Sequence, residues 1–285
     1  MRRLVDGVEE GRVRKAARFL IMVRPMAVVR AVALDGSDRV RGRRDPLTPP
    51  RRLWFVGGGD FRAVGNEFRR HFVEIGGLRP DEDVLDVGSG VGRIAVPLTG
   101  WLQGRYEGID VVRRGIEWCR QTITPRYPNF RFQVADVYNR HCNREGRVRA
   151  SEYRYPFADQ SFDFVVLTTV FTHLLPADRD NYISEIARVL RPRGRCFATF
   201  FLLNDEARRN LAAGRAAFNF RFQHRGYWTT HRRKPEAAVA YEETDVLERL
   251  EHNGLQISAI RHGAWSGRDD GLSLQDIVVA TRIPA

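Results

Sequence analysis

A chain of 285 residues, 43% hydrophobic and 29% charged, is long enough to bury a sizeable core. Its formal net charge of +12 is unevenly held: residues 1–52 carry 14 Arg and Lys against six Asp and Glu, residues 137–156 five against two, and residues 203–240 eight against three, while the remainder is slightly acidic. That distribution excludes a uniformly basic body that coats nucleic acid. The three cysteines, Cys119, Cys142 and Cys196, have no metal or redox spacing and fit a reduced, cytoplasmic setting. Only Lys15 and Lys234 are lysines, an arginine bias that genomic base composition explains as readily as phosphate recognition.

Residues 1–52 read as a basic, partly apolar N-terminal arm and linker. Its most apolar stretch, residues 19–34, is interrupted by Arg24, Pro25 and Arg30, too short and too charged for a bilayer span and without a signal-peptide pattern. An interfacial helix making peripheral membrane contact, a lid, or a poorly ordered tail all fit. Residues 45–50 follow as an extended, proline-rich linker, and one domain is expected over residues 53–285. Phe61, Val64, Phe68, Phe72 and Ile75 recur at three and four with Arg69, Arg70 and Glu74 between them, the pattern of an amphipathic helix.

The chain's central feature is residues 84–93. Val84, Leu85 and Val87 stop at Gly88-Ser89-Gly90-Val91-Gly92, and an apolar pattern resumes at Ile94: a buried strand, a tight turn and a helix, the first unit of an open parallel sheet. Glycines at 88, 90 and 92 let backbone approach a ligand, and the first amides of a following helix would point at it. The dinucleotide fingerprint needs its third Gly where Arg93 stands, and the P-loop Gly-Lys-Ser/Thr is absent. Asp86 at the strand end would repel a pyrophosphate but could hold a cationic group, directly or through water. A second strand is expected over residues 105–110, ending in Asp110, where a carboxylate can accept both hydroxyls of a ribose. A helix over 112–124 and an alternating strand at Phe130, Phe132 and Val134 follow, closing on Ala135-Asp136-Val137.

Residues 138–156 interrupt the alternation with a basic loop holding Arg140, His141, Asn143, Arg144 and Arg147. A fourth strand is predicted over 164–169, then Thr168 to Leu174 read Thr-Thr-Val-Phe-Thr-His-Leu; His173 there could take a proton from an acceptor hydroxyl, or serve as a hydrogen-bonded wall residue. A helix over 178–190, ended by Pro192 and Gly194, and a fifth strand over 195–203 come next. Residues 204–240, rich in aromatics and arginine, are followed by a helix over 244–253 with Gly254 as its cap and a hairpin of residues 256–261 and 277–281.

The Asp-x-Gly-x-Gly-x-Gly of residues 86–92, the acids Asp110 and Asp136 at successive strand ends, the Pro-Phe-x-Asp-x-Ser-Phe-Asp of 156–163 and the Ile-Ala-Arg-Val-Leu-Arg-Pro-x-Gly of 186–194 together resemble the class I S-adenosylmethionine-dependent methyltransferases of small-molecule type. The resemblance spans residues 78–203. It implies an α/β fold, a Rossmann-like, doubly wound seven-stranded sheet, mostly parallel with an antiparallel C-terminal hairpin, and S-adenosyl-L-methionine as cofactor. Cofactor-binding residues would then be Asp86, Gly88, Ser89, Gly90, Gly92, Asp110 (ribose), Val111, Asp136 (adenine amino group), Val137 and Thr168. His173 is the candidate catalytic residue, and no cluster has metal-site spacing, so no metal is expected. The 204–240 insertion sits where the family places acceptor lids, so Arg221, Arg225, Tyr227 and Trp228, with Phe220 and Phe222, are expected over the acceptor.

The reaction expected is methyl transfer to a small molecule, a lipid, sugar or secondary metabolite hydroxyl, with an apolar body and an anionic group to suit aromatics and arginine. An RNA methyltransferase would use the basic arm and stack bases on the insertion, but no RNA-binding module or Asn-Pro-Pro-Tyr-type motif is present. A non-catalytic S-adenosylmethionine-binding protein is the other alternative.

Overall fold

Four consecutive buried residues, Val84–Val87, make an interior strand of the main sheet, and burial on both faces is what a parallel sheet between helical layers demands. The computed structural model describes residues 33–37, 45–54, 59–140 and 142–284. Most of the N-terminal arm, and His141, lie outside the described residues. The chain runs α1 (Phe61–Glu74), β1 (Val84–Val87), α2 (Ala95–Leu98), β2 (Tyr106–Asp110), α3 (Arg113–Thr122), β3 (Phe130–Val134), β4 (Phe162–Leu167), α4 (Pro176–Val189), β5 (Leu190–Phe200) and β6 (Leu202–Leu203). It continues through α5 (Asp205–Ala212), β7 (Phe222–His224), β8 (Tyr227–Thr229), β9 (Val239–Glu242), α6 (Glu243–His252), β10 (Leu255–Arg261) and β11 (Asp276–Arg282).

Seven strands form the main sheet in the order β10-β11-β5-β4-β1-β2-β3. β1 to β5 pair in parallel, whereas β11 runs antiparallel between β5 and β10. This is the Rossmann-like, doubly wound sheet with its antiparallel C-terminal pair. Alternation along β1 sends Val84 to one face, with Phe61, Phe72, Ile94, Ile116 and Cys119, and Leu85 and Val87 to the other, with Tyr182, Ile183, Ile186, Val246 and Leu250. Among the described residues no helix is long and apolar enough to cross a membrane.

Much arginine is spent on the end of the sheet where the parallel strands begin. Arg191 donates to Asp83 and Asp163, Arg105 pairs with Asp83, and Arg195 and Arg79 pair with the buried Glu82. The carboxyl ends of β1 to β4, where ligands of open α/β sheets bind, are left without this belt.

Several boundaries differ from the sequence expectation. The helix after the glycine turn is a single turn, α2, stopped before Gly100 at φ +74°, so the turn's own amides rather than a helix terminus face the strand ends. α4 starts at Pro176, whose missing N–H costs nothing in a first turn, and ends at Val189. Pro192 and Gly194 therefore lie within β5, where Arg193 at φ +66° and a register shift against β4 absorb the kink.

Residues 202–242 form a unit of their own. β6 leaves the end of β5 and joins a four-stranded sheet, β6-β9-β8-β7, with α5 against it. Phe201, Leu203, Phe218, Phe220, Ala240 and Trp265 close a third hydrophobic cluster beneath it. Asp276 anchors that cluster to the main sheet, accepting from the Leu202 amide, the Gly263 amide and the Trp265 indole at 2.6, 2.7 and 2.6 Å.

Candidate active site

A cavity of about 360 Å3 opens at the carboxyl ends of β1 to β4. From the glycine turn it takes Val87, Gly88 and Gly90; from the end of β2, Ile109, Asp110 and Val111; and from the end of β3, Ala135 and Val137. Gly88 and Gly90 have φ of +86° and +57°, which a side chain would oppose. A Cβ on Gly88 would meet Val170 Cγ2 at 2.4 Å, whereas a Cβ on Gly90 would meet nothing within 4 Å: the first glycine is demanded by packing, and the second leaves space beside the turn.

Asp110 ties the turn to β2. Its Oδ2 accepts from the Gly90 amide at 2.8 Å and its Oδ1 from the Val112 amide at 2.7 Å, so each oxygen keeps acceptor capacity toward the cavity. Burial raises its pKa, against the lowering effect of those two amides.

Thr168, Thr169, Val170, His173 and Leu174 line the cavity after β4. Thr169 has φ +62°, costly for a β-branched residue, and its amide donates to Thr199 Oγ1 at 2.8 Å. His173 ends a short 3-10 turn, Phe171–His173, and its Nδ1 lies 2.8 Å from the carbonyl oxygen of Glu236, in the inserted unit. A carbonyl can only accept, so Nδ1 carries the proton and Nε2 is the basic nitrogen of the neutral ring.

Tyr138, Asn139, Arg140, Arg149, Ala150, Ser151 and Tyr153 enter from the loop after β3, Asp178 and Tyr182 from α4, and Glu236 from the inserted unit. The loop is held back on α4 by Asn181, whose Nδ2 donates to the Ala150 and Tyr153 carbonyls at 2.8 and 3.0 Å.

Comparison with known proteins agrees with this geometry. Residues 85–198 match the family model described as "Methyltransferase domain". Over those residues the chain is similar to a methyltransferase domain. S-adenosyl-L-methionine is the cofactor that this domain takes, and the residues present fit it: backbone space beside Gly90, and a carboxylate at Asp110 with acceptor capacity toward the cavity. The chain is 33% identical over 114 residues to the methyltransferase GfsG of Streptomyces halstedii (39% of this chain, 35% of the relative) and 29% identical over 116 residues to the O-methyltransferase cnsE of Penicillium expansum (40% and 36%). These alignments span little more than a third of the relatives' length. In fold it resembles a SAM-dependent methyltransferase structure from Methanosarcina mazei, with a TM-score of 0.50 and 22% identity over 73% of this chain and 95% of that one.

Of the expected site residues, Gly88, Gly90, Asp110, Val111, Val137, Thr168 and His173 come together on the cavity wall, and others do not. Asp86 is wholly buried behind the turn; the Tyr106 hydroxyl donates to its Oδ2, and its Oδ1 has no hydrogen-bond partner. Burial raises its carboxyl to about 7. Ser89 also lies behind the wall. Gly92 serves packing, since a Cβ there would meet Ile123 and Cys119 at 2.7 and 3.2 Å. Asp136 turns to its own loop, accepting from Arg147 Nε at 2.7 Å and the Arg147 amide at 3.2 Å, and that hydrogen bonding holds its pKa down; its neighbours Ala135 and Val137 line the cavity instead.

Arg221, Arg225, Tyr227 and Trp228 are not brought to the cavity. Arg225 is at the exposed tip of the β7–β8 hairpin beside Gly226, and Arg221 is exposed over the Phe222 ring. Tyr227 stacks on His224 at 4.7 Å, Trp228 lies under Arg208, and Phe220 is buried against Phe201 and Trp265. Hairpin register and the third core claim these side chains. Trp54 stacks on Phe61 and packs against the main core. Sequence reasoning missed Tyr153, Asp178, Tyr182 and Glu236 on the wall; of these only Asp178, an acid in the first turn of a helix, had a local signal, and it pointed to capping.

Proposed function

We propose that this protein transfers a methyl group from S-adenosylmethionine to a hydroxyl of a small-molecule acceptor, with His173 as the proton acceptor. The observation that carries the reading is the 2.8 Å contact of His173 Nδ1 with the Glu236 carbonyl on the cavity wall, which makes Nε2 the basic nitrogen. O-methylation is further supported by the name of the Penicillium relative.

The bound cofactor supplies an electrophilic methyl on a sulfonium. The chain's residues would hold the acceptor oxygen close to that methyl, which lowers the barrier by removing the entropy of encounter, and would exclude water. Asp110 would hold the ribose through its remaining acceptor capacity, and the glycine turn would let backbone approach the rest of the ligand. His173 Nε2 would take the proton of the acceptor hydroxyl, and the resulting imidazolium would keep its Nδ1–H on the Glu236 carbonyl.

The test is release of S-adenosylhomocysteine from the full chain incubated with cofactor and a panel of phenols, sugars and hydroxylated lipids. His173→Ala should lower turnover roughly 10²- to 10⁴-fold without weakening cofactor binding. Wild-type turnover in that variant would remove His173 from the chemistry.

A further inference from the structure

Asp178 and Glu236 are anomalous in a chain with 47 basic residues. Neither makes an ion pair with a described residue, whereas Glu185, Asp245 and Asp83 have Arg188, Arg179 and Arg191. The Leu175 and Ser151 amides lie close enough to Asp178 to oppose a rise in its pKa, but they bring no cation. Burial and the nearby charge of Glu236 both raise its pKa, as expected where negative charge lacks a counterion. Glu236 Oε2 is buried without a hydrogen-bond partner. A carboxylate oxygen so placed costs free energy until a donor reaches it.

A second observation comes from the tyrosines on the same wall. Tyr153 and Tyr182 are 9% and 6% exposed, line the cavity, and neither hydroxyl forms a hydrogen bond with a described residue. Their rings are fixed by Tyr155, at centroid distances of 6.0 and 5.5 Å. Buried hydroxyls usually find partners within the protein; these two are held ready on a cavity surface.

Resting on the methyltransferase reading above, we propose that Glu236 and Asp178 are specificity residues that hold a protonated amine of the acceptor, an aromatic hydroxyl compound whose ring lies along Tyr153 and Tyr182. An ammonium brings three donors to a wall rich in acceptors, and an aromatic-lined, half-buried site favours a cation further. A carboxylate or phosphate on the acceptor would face two unpaired acids. Arg140 and Arg149 also border the cavity, but both are exposed on the loop, where solvent and salt screen their charge.

Glu236 thereby acts twice: its backbone carbonyl sets the tautomer of His173, and its side chain selects the acceptor. Glu236→Gln keeps the first and removes the charge of the second.

The experiment is calorimetric binding of tyramine and of 3-(4-hydroxyphenyl)propionate, phenols that carry an amine or a carboxylate on the same two-methylene spacer, to the full chain with and without S-adenosylhomocysteine. Tyramine should bind about 10- to 100-fold more tightly, and Glu236→Gln should abolish that preference while leaving S-adenosylhomocysteine affinity unchanged. Equal binding, preference for the carboxylate, binding of neither, or a preference that survives in Glu236→Gln would overturn the proposal. Failure of S-adenosylhomocysteine to bind would instead overturn the methyltransferase reading, and the measurement without it still tests the amine preference.

Discussion

The glycine turn with Asp110 and the inserted unit of residues 202–242 meet at one cavity in opposite ways. In the turn, residues close in sequence reach the cavity together because the backbone itself forms the wall: Gly88 and Gly90 line it, and Asp110 is tied to the Gly90 amide. In the inserted unit the side chains that look most like ligand contacts are turned elsewhere, and Glu236 alone reaches the wall. A backbone-built site is legible locally; one built from side chains of an independent sheet depends on which face of that sheet is buried.

The comparison is open to attack at several points. The largest effect is expected from Phe220→Ala. With 5% exposure in the third core, this residue should cost about 3–5 kcal/mol of stability in denaturant melts and leave cofactor affinity intact. Unchanged stability with a raised acceptor KM would make Phe220 a lid residue after all and dissolve the contrast.

Next comes pH. The Asp86 carboxyl, at about 7 in the folded chain against the ordinary 3.8, is protonated more readily folded than unfolded. The folded state therefore holds the extra proton between about pH 4 and 7, and stability contributed by it falls as pH rises through that window, by something on the order of a few kcal/mol. Urea melts at pH 4.5 and 7.5 should show this slope in the protein and a flatter one in Asp86→Asn; identical slopes would refute the assignment to Asp86.

Asp110→Ala probes the turn directly. Loss of the ribose contacts should weaken S-adenosylhomocysteine binding by about 1–3 kcal/mol in a titration, with the fold retained by circular dichroism. An unchanged affinity would mean that the turn reaches the cavity but Asp110 does not hold the ligand.

The smallest effect belongs to the arginines of the inserted unit. Replacing Arg221 and Arg225 together with Ala should alter stability by no more than about 0.5 kcal/mol and leave the acceptor KM at its original value, since both are exposed and away from the cavity. A severalfold rise in KM would return the acceptor to the hairpin tip.

By itself the sequence determined the sheet and its ligand end. Buried strands ending in glycines or acids at Val87, Asp110 and Val134 announce themselves through short apolar runs and abrupt stops, and these are local properties of adjacent residues. Register, burial and partner choice are not local. Asp136 looked like a cofactor ligand until Arg147, eleven residues on, took its carboxylate, and the aromatics of residues 218–228 looked like a lid until Phe201 and Trp265 enclosed Phe220. The meeting of His173 with the carbonyl of Glu236, 63 residues away, was decided only by tertiary structure. No periodicity encodes it, because it depends on where the second sheet sets the 3-10 turn Pro235–Ala237 against that of Phe171–His173.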